Sequence, residues 1–117
     1  MEYKDLDVWK NARILVKEIY GLTRQFPRDE LYGLVAQMRR SFISIPSNIA
    51  EGCGRRTAAD TTQYLHVARG SLYELETQLY LAMDLGFAGE DQTKRISEQI
   101  IACKKLLNGF INYYKAL

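Results

Sequence analysis

The chain has 117 residues, of which 47% are hydrophobic and 26% are charged, as is typical of one globular domain. Its formal net charge of +2 is lower than that of most dedicated nucleic-acid binders, although it allows a local basic patch. The longest uncharged stretch, 41–50, is too short to span a bilayer, and we expect a cytoplasmic protein that makes no membrane contact.

Four segments carry apolar residues at alternating steps of three and four. They span residues 6–26, 31–49, 65–86 and 96–117. This spacing places side chains on one stripe of an α-helix, and no segment shows the period of two that a strand needs. In the first segment the stripe would contain Trp9, Ala12, Val16, Ile19 and Thr23. We therefore predict an all-α fold with four helices.

The connections between these segments contain residues that end or begin helices. Pro27 is expected to end the first helix, because a proline disfavours helical geometry in the residue before it. Gly52 and Gly54 are expected to close the second helix with positive φ, and Thr57 to cap the third. Because each connection is only a few residues long, neighbouring helices should run antiparallel. The prediction is one domain, 1–117, folded as an up-down-up-down four-helix bundle.

Pro46 lies inside the second helical segment. There it removes one backbone hydrogen bond and clashes with the preceding turn, at a cost of about 3 kcal/mol. The apolar stripe nevertheless continues in register from Phe42 to Ile49. We therefore predict one helix that is kinked at Pro46. The alternative is a true break, with Ser44 capping a short second piece.

The residues that most often carry chemistry are few and far apart. His66 is the single histidine, and the two cysteines, Cys53 and Cys103, are separated by fifty positions. A metal site normally needs three or four ligands. A nucleophilic pair of Cys53 and His66 would also need an orienting group and an oxyanion hole, which the spacing does not supply. We expect no enzymatic activity, no metal and no cofactor.

A polar line follows the apolar stripe of the second helix. It consists of Gln37, Arg40, Ser44, Asn48, Glu51 and Arg55. One interpretation is a solvated face. The other is a line that meets another helix or subunit, since partly buried charges persist only when they are paired. The structural network predicted in that case comprises Gln37, Arg40, Asn48, Glu51, Glu74 and Gln78.

Charge is segregated along the chain. Lys10, Lys17 and Arg24 are seven residues apart and so share one helical face, whereas the stretch 74–91 contains acidic residues and no basic one. The basic surface is expected to bind phosphate backbones, or else to meet the acidic surface of a neighbouring copy head to tail. The residues predicted to contact nucleic acid are Lys10, Lys17, Arg39, Arg40, Arg55 and Arg56.

An aromatic row also recurs with a period of seven, beside the leucine stripe of the third segment. It consists of Tyr73, Tyr80 and Phe87. Such a row can pack under a long side chain or a loop. Since tyrosine is enriched at protein interfaces, we favour an interface between subunits.

Three strings of the sequence carry a family resemblance. They are Glu-Leu-Tyr-Gly-Leu at 30–34, Ser-Ile-Pro-Ser-Asn-Ile-Ala-Glu-Gly at 44–52, and Gly-Ser-Leu-Tyr-Glu-Leu-Glu-Thr-Gln at 70–78. The chain resembles the small four-helix bundle proteins that are encoded in intervening sequences of large-subunit ribosomal RNA genes and often labelled as a ribosomal protein. That family is similar to the accessory variability determinant of diversity-generating retroelements. The resemblance implies a four-helix bundle that assembles into a homopentameric ring.

Residues and resemblance together predict a non-enzymatic, oligomeric scaffold, a homopentamer. Its expected activity is weak binding of RNA or a nucleoprotein through the basic surface, with RNA or a nucleic-acid-processing protein as the partner. The alternative is a protein–protein adaptor that has no nucleic-acid role.

Overall fold

The computed structural model describes residues 2–117, which form four α-helices and two short 3-10 turns. The helices are α1 Asp7–Thr23, α2 Leu34–Cys53, α3 Ala58–Asp84 and α4 Glu90–Lys115. The 3-10 turns, Tyr3–Asp5 and Arg28–Glu30, precede α1 and α2. No strand occurs between residues 2 and 117, so the predicted all-α four-helix bundle is confirmed.

Each helix packs against two others, so that the four enclose one core. α1 and α3 each contact both α2 and α4, and the molecule measures 45 × 25 × 20 Å. Between α2 and α3, Ser41 pairs with Glu74, whereas Ser44 pairs with Ser71. Residue numbers therefore rise along α2 where they fall along α3, as expected of neighbours that run in opposite directions. The up-down order of all four helices stays a prediction.

The core is formed by the apolar stripes. Its side chains without exposed surface include Ile19, Met38, Phe42, Ile45, Ile49, Leu65, Leu72, Leu75, Leu79, Ile96, Ile100 and Leu107. Burying one such large side chain contributes about 1.5–3 kcal/mol, so these rows supply most of the folding free energy.

The stripe of α1 is rotated relative to the prediction. Val8 and Leu15 are buried, whereas Trp9 and Val16 are only half-buried. α1 carries apolar side chains on adjacent flanks, and its packing against both α2 and α4 selects which flank faces the core. Trp9 and Val16 consequently lie at the edge of the core rather than inside it.

The helix ends only partly follow the expected capping. The oxygen Oγ1 of Thr57 accepts a hydrogen bond from the backbone N–H of Asp60 at 3.1 Å, so the predicted cap of α3 is confirmed. The expectation for Gly52 and Gly54 was wrong, because neither has positive φ and Gly54 ends α2 in the right-handed region.

Gly86 is the glycine that needs its conformational freedom. Its φ of 77° lies in the left-handed region, directly after the end of α3. There the N–H of Phe87 donates to the carbonyl of Ala82 at 2.9 Å, and the N–H of Gly86 donates to that of Met83 at 3.0 Å. These two bonds form a Schellman motif, which reverses the chain toward α4.

Pro46 lies within one continuous helix, since α2 runs from Leu34 to Cys53. The alternative of two helices with Ser44 as a cap is therefore wrong, and the hydroxyl of Ser44 instead meets that of Ser71 at 2.8 Å. Because Pro46 has no N–H, the carbonyl of Phe42 lacks its helical partner. A bend of α2 at Pro46 stays a prediction.

Candidate functional site

One side of α1 carries an uninterrupted positive charge. Lys10, Arg13, Lys17 and Arg24 are exposed. The acidic residue among them, Glu18, faces α4, where its Oε1 accepts a hydrogen bond from Nε2 of Gln99 at 2.7 Å. Lys10, Lys17 and Arg24 follow each other at about 10 Å, given the rise of an α-helix.

Arg39 of α2 extends this charge across the seam with α1. Its guanidinium carbon lies 5.0 Å from the ring centre of Tyr20, which is three residues from Lys17 and four from Arg24. The Tyr20 ring in turn packs edge-on against Phe42 in the core, with the ring centres 5.0 Å apart. We call the set Lys10, Arg13, Lys17, Arg24 and Arg39 the basic face.

Arg40, Arg55 and Arg56 lie outside the basic face. Successive residues of a helix turn by about 100°, so Arg40 points away from the side where Arg39 meets α1. Arg55 and Arg56 lie in the connection between α2 and α3 and are exposed. Arg55 contacts the carboxylate of Glu51 at 2.6 Å and the hydroxyl of Tyr64. The six cations predicted to bind nucleic acid thus form three separate groups.

The predicted polar network is divided into small clusters along the seam of α2 and α3. The hydroxyl of Ser41 lies 3.0 Å from Oε1 of Glu74, and Gln78 donates to the same oxygen at 3.4 Å. Asn48 donates to the hydroxyl and the carbonyl of Ser44, both at 2.8 Å, within its own helix.

The remaining members of that predicted network lie apart from these clusters. The side chains of Gln37 and Arg40 are exposed, and Glu51 pairs with Arg55. The structure therefore brings Glu74 and Gln78 into direct contact and adds Ser41, which the sequence pattern missed.

Two of the three residues in the predicted aromatic row are exposed on α3, beside the leucine stripe. Tyr73 and Tyr80 are each 47% exposed on α3. Nζ of Lys104 lies 3.9 Å from the ring centre of Tyr73 and 2.8 Å from Oε1 of Glu76. This ion pair and cation–π contact hold Tyr73 in place across α3 and α4.

Phe87 is separate from this row. It follows the end of α3 and is half-buried, with its ring centre 5.5 Å from that of Phe26. Ile101 of α4, one turn before Lys104, is 46% exposed and adds apolar area that the sequence pattern missed. We call Tyr73, Tyr80 and Ile101 the apolar face.

The thiols and the histidine are placed without the features of a reactive centre. Burial raises the pKa of Cys103 to about 12, and burial also raises the pKa of Cys53. Both groups are thus protonated at neutral pH, and a thiol is a poor nucleophile compared with a thiolate. His66 is exposed on α3, and residues 2–117 contain no group of three His, Cys, Asp or Glu side chains suited to a metal ion.

Among residues 2–117, no helix combines the length and the apolar character that crossing a membrane requires.

Comparison with known proteins places the chain in a family. It is similar to the crystal structure of a protein of unknown function from the S23 ribosomal protein family of Bacteroides thetaiotaomicron. The TM-score is 0.79 at 23% sequence identity, over 89% of this chain and 97% of that chain. At this identity the likeness shows the fold alone. No curated protein matches the chain. The family model of the 23S rRNA-intervening sequence protein matches residues 4–109, and the chain belongs to that family.

Proposed function

We propose that this protein is a non-enzymatic scaffold that assembles with copies of itself and binds RNA weakly through the basic face. The observation that carries the RNA part is the set of five cations along α1 and its seam with α2. Glu18, the acidic residue of the same stretch, lies at the seam with α4, where it accepts a hydrogen bond from Gln99. Arg13 and Arg39, in contrast, lie at the seam with α2. A polyanion that follows the seam of α1 and α2 therefore contacts these cations away from Glu18.

The size of this face predicts a modest affinity. With five cations contacting phosphates, the logarithm of the binding constant should fall with the logarithm of salt concentration at a slope of about −3.5 for a single strand. Non-specific binding of this kind has a Kd of about 10⁻⁴ to 10⁻⁶ M at physiological salt. The net charge of +2 adds little attraction beyond the face itself.

The apolar face supports the proposed self-assembly. Tyr73, Tyr80 and Ile101 each expose nearly half of their surface, and exposed apolar patches often mark interaction sites. The family resemblance implies that five copies form a ring. Because the apolar face lies on α3 and α4 whereas the basic face lies on α1 and α2, a subunit can contact its neighbour and RNA at the same time.

Charge reversal tests the RNA part of the proposal. The double variant Lys10→Glu, Lys17→Glu should lose retention on immobilised RNA at low salt. The matched control is Lys94→Glu, Lys105→Glu, which changes two exposed lysines of α4 and shifts the net charge by the same amount. Equal losses in both variants would mean that net charge, and not the basic face, attracts RNA.

The mass of the protein in solution tests the assembly. Tyr73→Glu together with Tyr80→Glu should convert the assembly to monomers, because charge is introduced into a surface that must lose water on contact. Tyr32→Glu is the control, since Tyr32 is 93% exposed and lies outside the apolar face. A wild-type protein that sediments as a monomer contradicts the assembly, as does a double variant with unchanged mass.

A protein–protein adaptor without an RNA role is the second candidate. It is favoured by large apolar side chains that are exposed outside the apolar face, namely Leu31 at 43%, Tyr32 at 93% and Leu85 at 59%. This candidate predicts no RNA retention at any salt concentration and a protein partner that co-purifies with the chain.

A further inference from the structure

An open groove of about 330 Å³ lies on the seam of α1 and α2, beside the basic face. Its walls include Tyr3, Trp9, Arg13, Pro46, Ser47 and Ala50. One member of the basic face, Arg13, thus also belongs to the groove. The space is sufficient for a flat heterocyclic ring, and its walls combine aromatic, cationic and small side chains.

The aromatic wall of the groove is held in a fixed orientation. The guanidinium carbon of Arg13 lies 5.5 Å from the ring centre of Trp9. Tyr3 packs edge-on against Trp9, with ring centres 5.3 Å apart and an interplanar angle of 73°. Unpaired bases of RNA stack on aromatic rings and on the flat face of arginine. The exposed guanidinium of Arg13, supported by Trp9 beneath it, offers such a platform.

The opposite wall is shallow and carries one polar group. Pro46 and Ala50 are half-buried and short, so they leave the space above Trp9 open. Ser47 lies between them in sequence and is exposed. A hydroxyl both donates and accepts, so Ser47 can pair with the edge of any base.

We propose that this groove receives an unstacked base of single-stranded RNA whose phosphates follow the basic face. The inference rests on the proposed RNA binding and names the form of RNA that is bound. Lys10 precedes Arg13 by three residues on α1 and Lys17 follows it by four, so cations for the adjoining phosphates lie along the α1 wall of the groove. A duplex keeps its bases stacked and paired, and can therefore contact the lysines but not enter the groove.

The test uses the one tryptophan of the chain as a reporter. The wild-type protein is titrated at low salt with an unstructured RNA of roughly twelve nucleotides and with a duplex that has the same number of phosphates. Stacking of one base should make the single strand bind about 5- to 150-fold more tightly than the duplex. The single strand should also quench the fluorescence of Trp9, whereas the duplex should not.

A groove-filling variant keeps the test independent of core stability. Ser47→Leu changes an exposed position, adds bulk to the groove and leaves every cation in place. It should lose both the preference for single strands and the quenching, while the salt dependence of binding is unchanged. Asn112→Leu, at an exposed position of α4, should behave as wild type.

The outcomes separate this inference from the proposed function. Equal affinity for both forms of RNA without quenching overturns the groove and leaves RNA binding by the basic face intact. Preference and quenching that persist in Ser47→Leu also overturn the groove. Absence of binding to either RNA at low salt refutes the proposed RNA binding, and the present inference with it.

Discussion

Gly52 is a position where the backbones of α2 and α3 approach closely. A Cβ atom added there would lie 3.1 Å from Cβ of Tyr64 and 3.2 Å from the carbonyl oxygen of Thr61, both on α3. The hydroxyl of Thr61 also donates to the carbonyl of Gly52 at 2.8 Å. Because the carbonyl oxygen of Thr61 belongs to the helical backbone, Gly52→Ala requires the two helices to separate.

Two opposing terms decide the sign of this substitution. Alanine is favoured over glycine in a helix interior by about 1 kcal/mol, and by less near the last turn, where Gly52 lies. Overpacking of a tight contact costs about 1–3 kcal/mol, and weakening the hydrogen bond from Thr61 costs about 1 kcal/mol more. We therefore expect Gly52→Ala to lower the free energy of unfolding by about 1–3 kcal/mol.

Two other glycines serve as matched controls. Gly70 in α3 and Gly109 in α4 have no described atom within 4 Å of an added Cβ, the helices' own nearby backbone aside. Their replacement by alanine should raise the free energy of unfolding by about 0.5–1 kcal/mol each. Urea denaturation followed by circular dichroism measures all three variants, at one protein concentration because self-association would affect the midpoint. If Gly52→Ala is as stable as the controls, the close approach of α2 and α3 does not limit the fold.

Three further predictions each concern the replacement or the titration of one side chain. Thr57→Ala should cost about 1 kcal/mol in the same denaturation assay, because the N–H of Asp60 loses its cap. The pKa of Cys103 is about 12 in the fold against 9.0 for a free thiol, so the unfolded state releases this proton first as pH rises. Stability should consequently fall above pH 9 by about 1.4 kcal/mol per pH unit, and Cys103→Ala should lack this component. Lys17→Gln should make the salt slope of RNA binding shallower by about 0.7.

The helices could be predicted from the sequence because their spacing is unambiguous on α3 and α4. Leu72 and Leu79 lie on a stripe of leucines that recur at steps of three and four, and both are fully buried. α1 offers two candidate flanks, one through Trp9 and one through Val8. Only contacts with both neighbouring helices distinguish them, and such contacts leave no local signal in the sequence.

The backbone conformation of the glycines could likewise be predicted only in part from the sequence. A glycine permits positive φ but does not require it, so the sequence alone could not separate Gly54 from Gly86. The chain needs the left-handed region where α3 must end abruptly and pass to α4. At Gly54, α2 ends with right-handed geometry instead.

The basic face was predictable in part. The spacing of Lys10 and Lys17 placed them on one side of α1, and the three-residue step from Lys10 to Arg13 could have added Arg13. The direction of Glu18 was not predictable, because its partner Gln99 is 81 positions away. The division between Arg39 and Arg40 likewise depends on Tyr20 of another helix.

Pro46 affects both the stability of α2 and the shape of the groove on the surface of that helix. A proline inside a helix costs about 3 kcal/mol, and Pro46 is only half-buried, so core packing does not fully offset that cost. Such local conflicts are expected at functional positions. Pro46 lies in the groove wall with Trp9 and Ala50, where its compact ring leaves space that a longer side chain would fill. The residue least suited to the interior of α2 thus lies on the same seam as Arg39, as expected if this seam binds RNA as proposed.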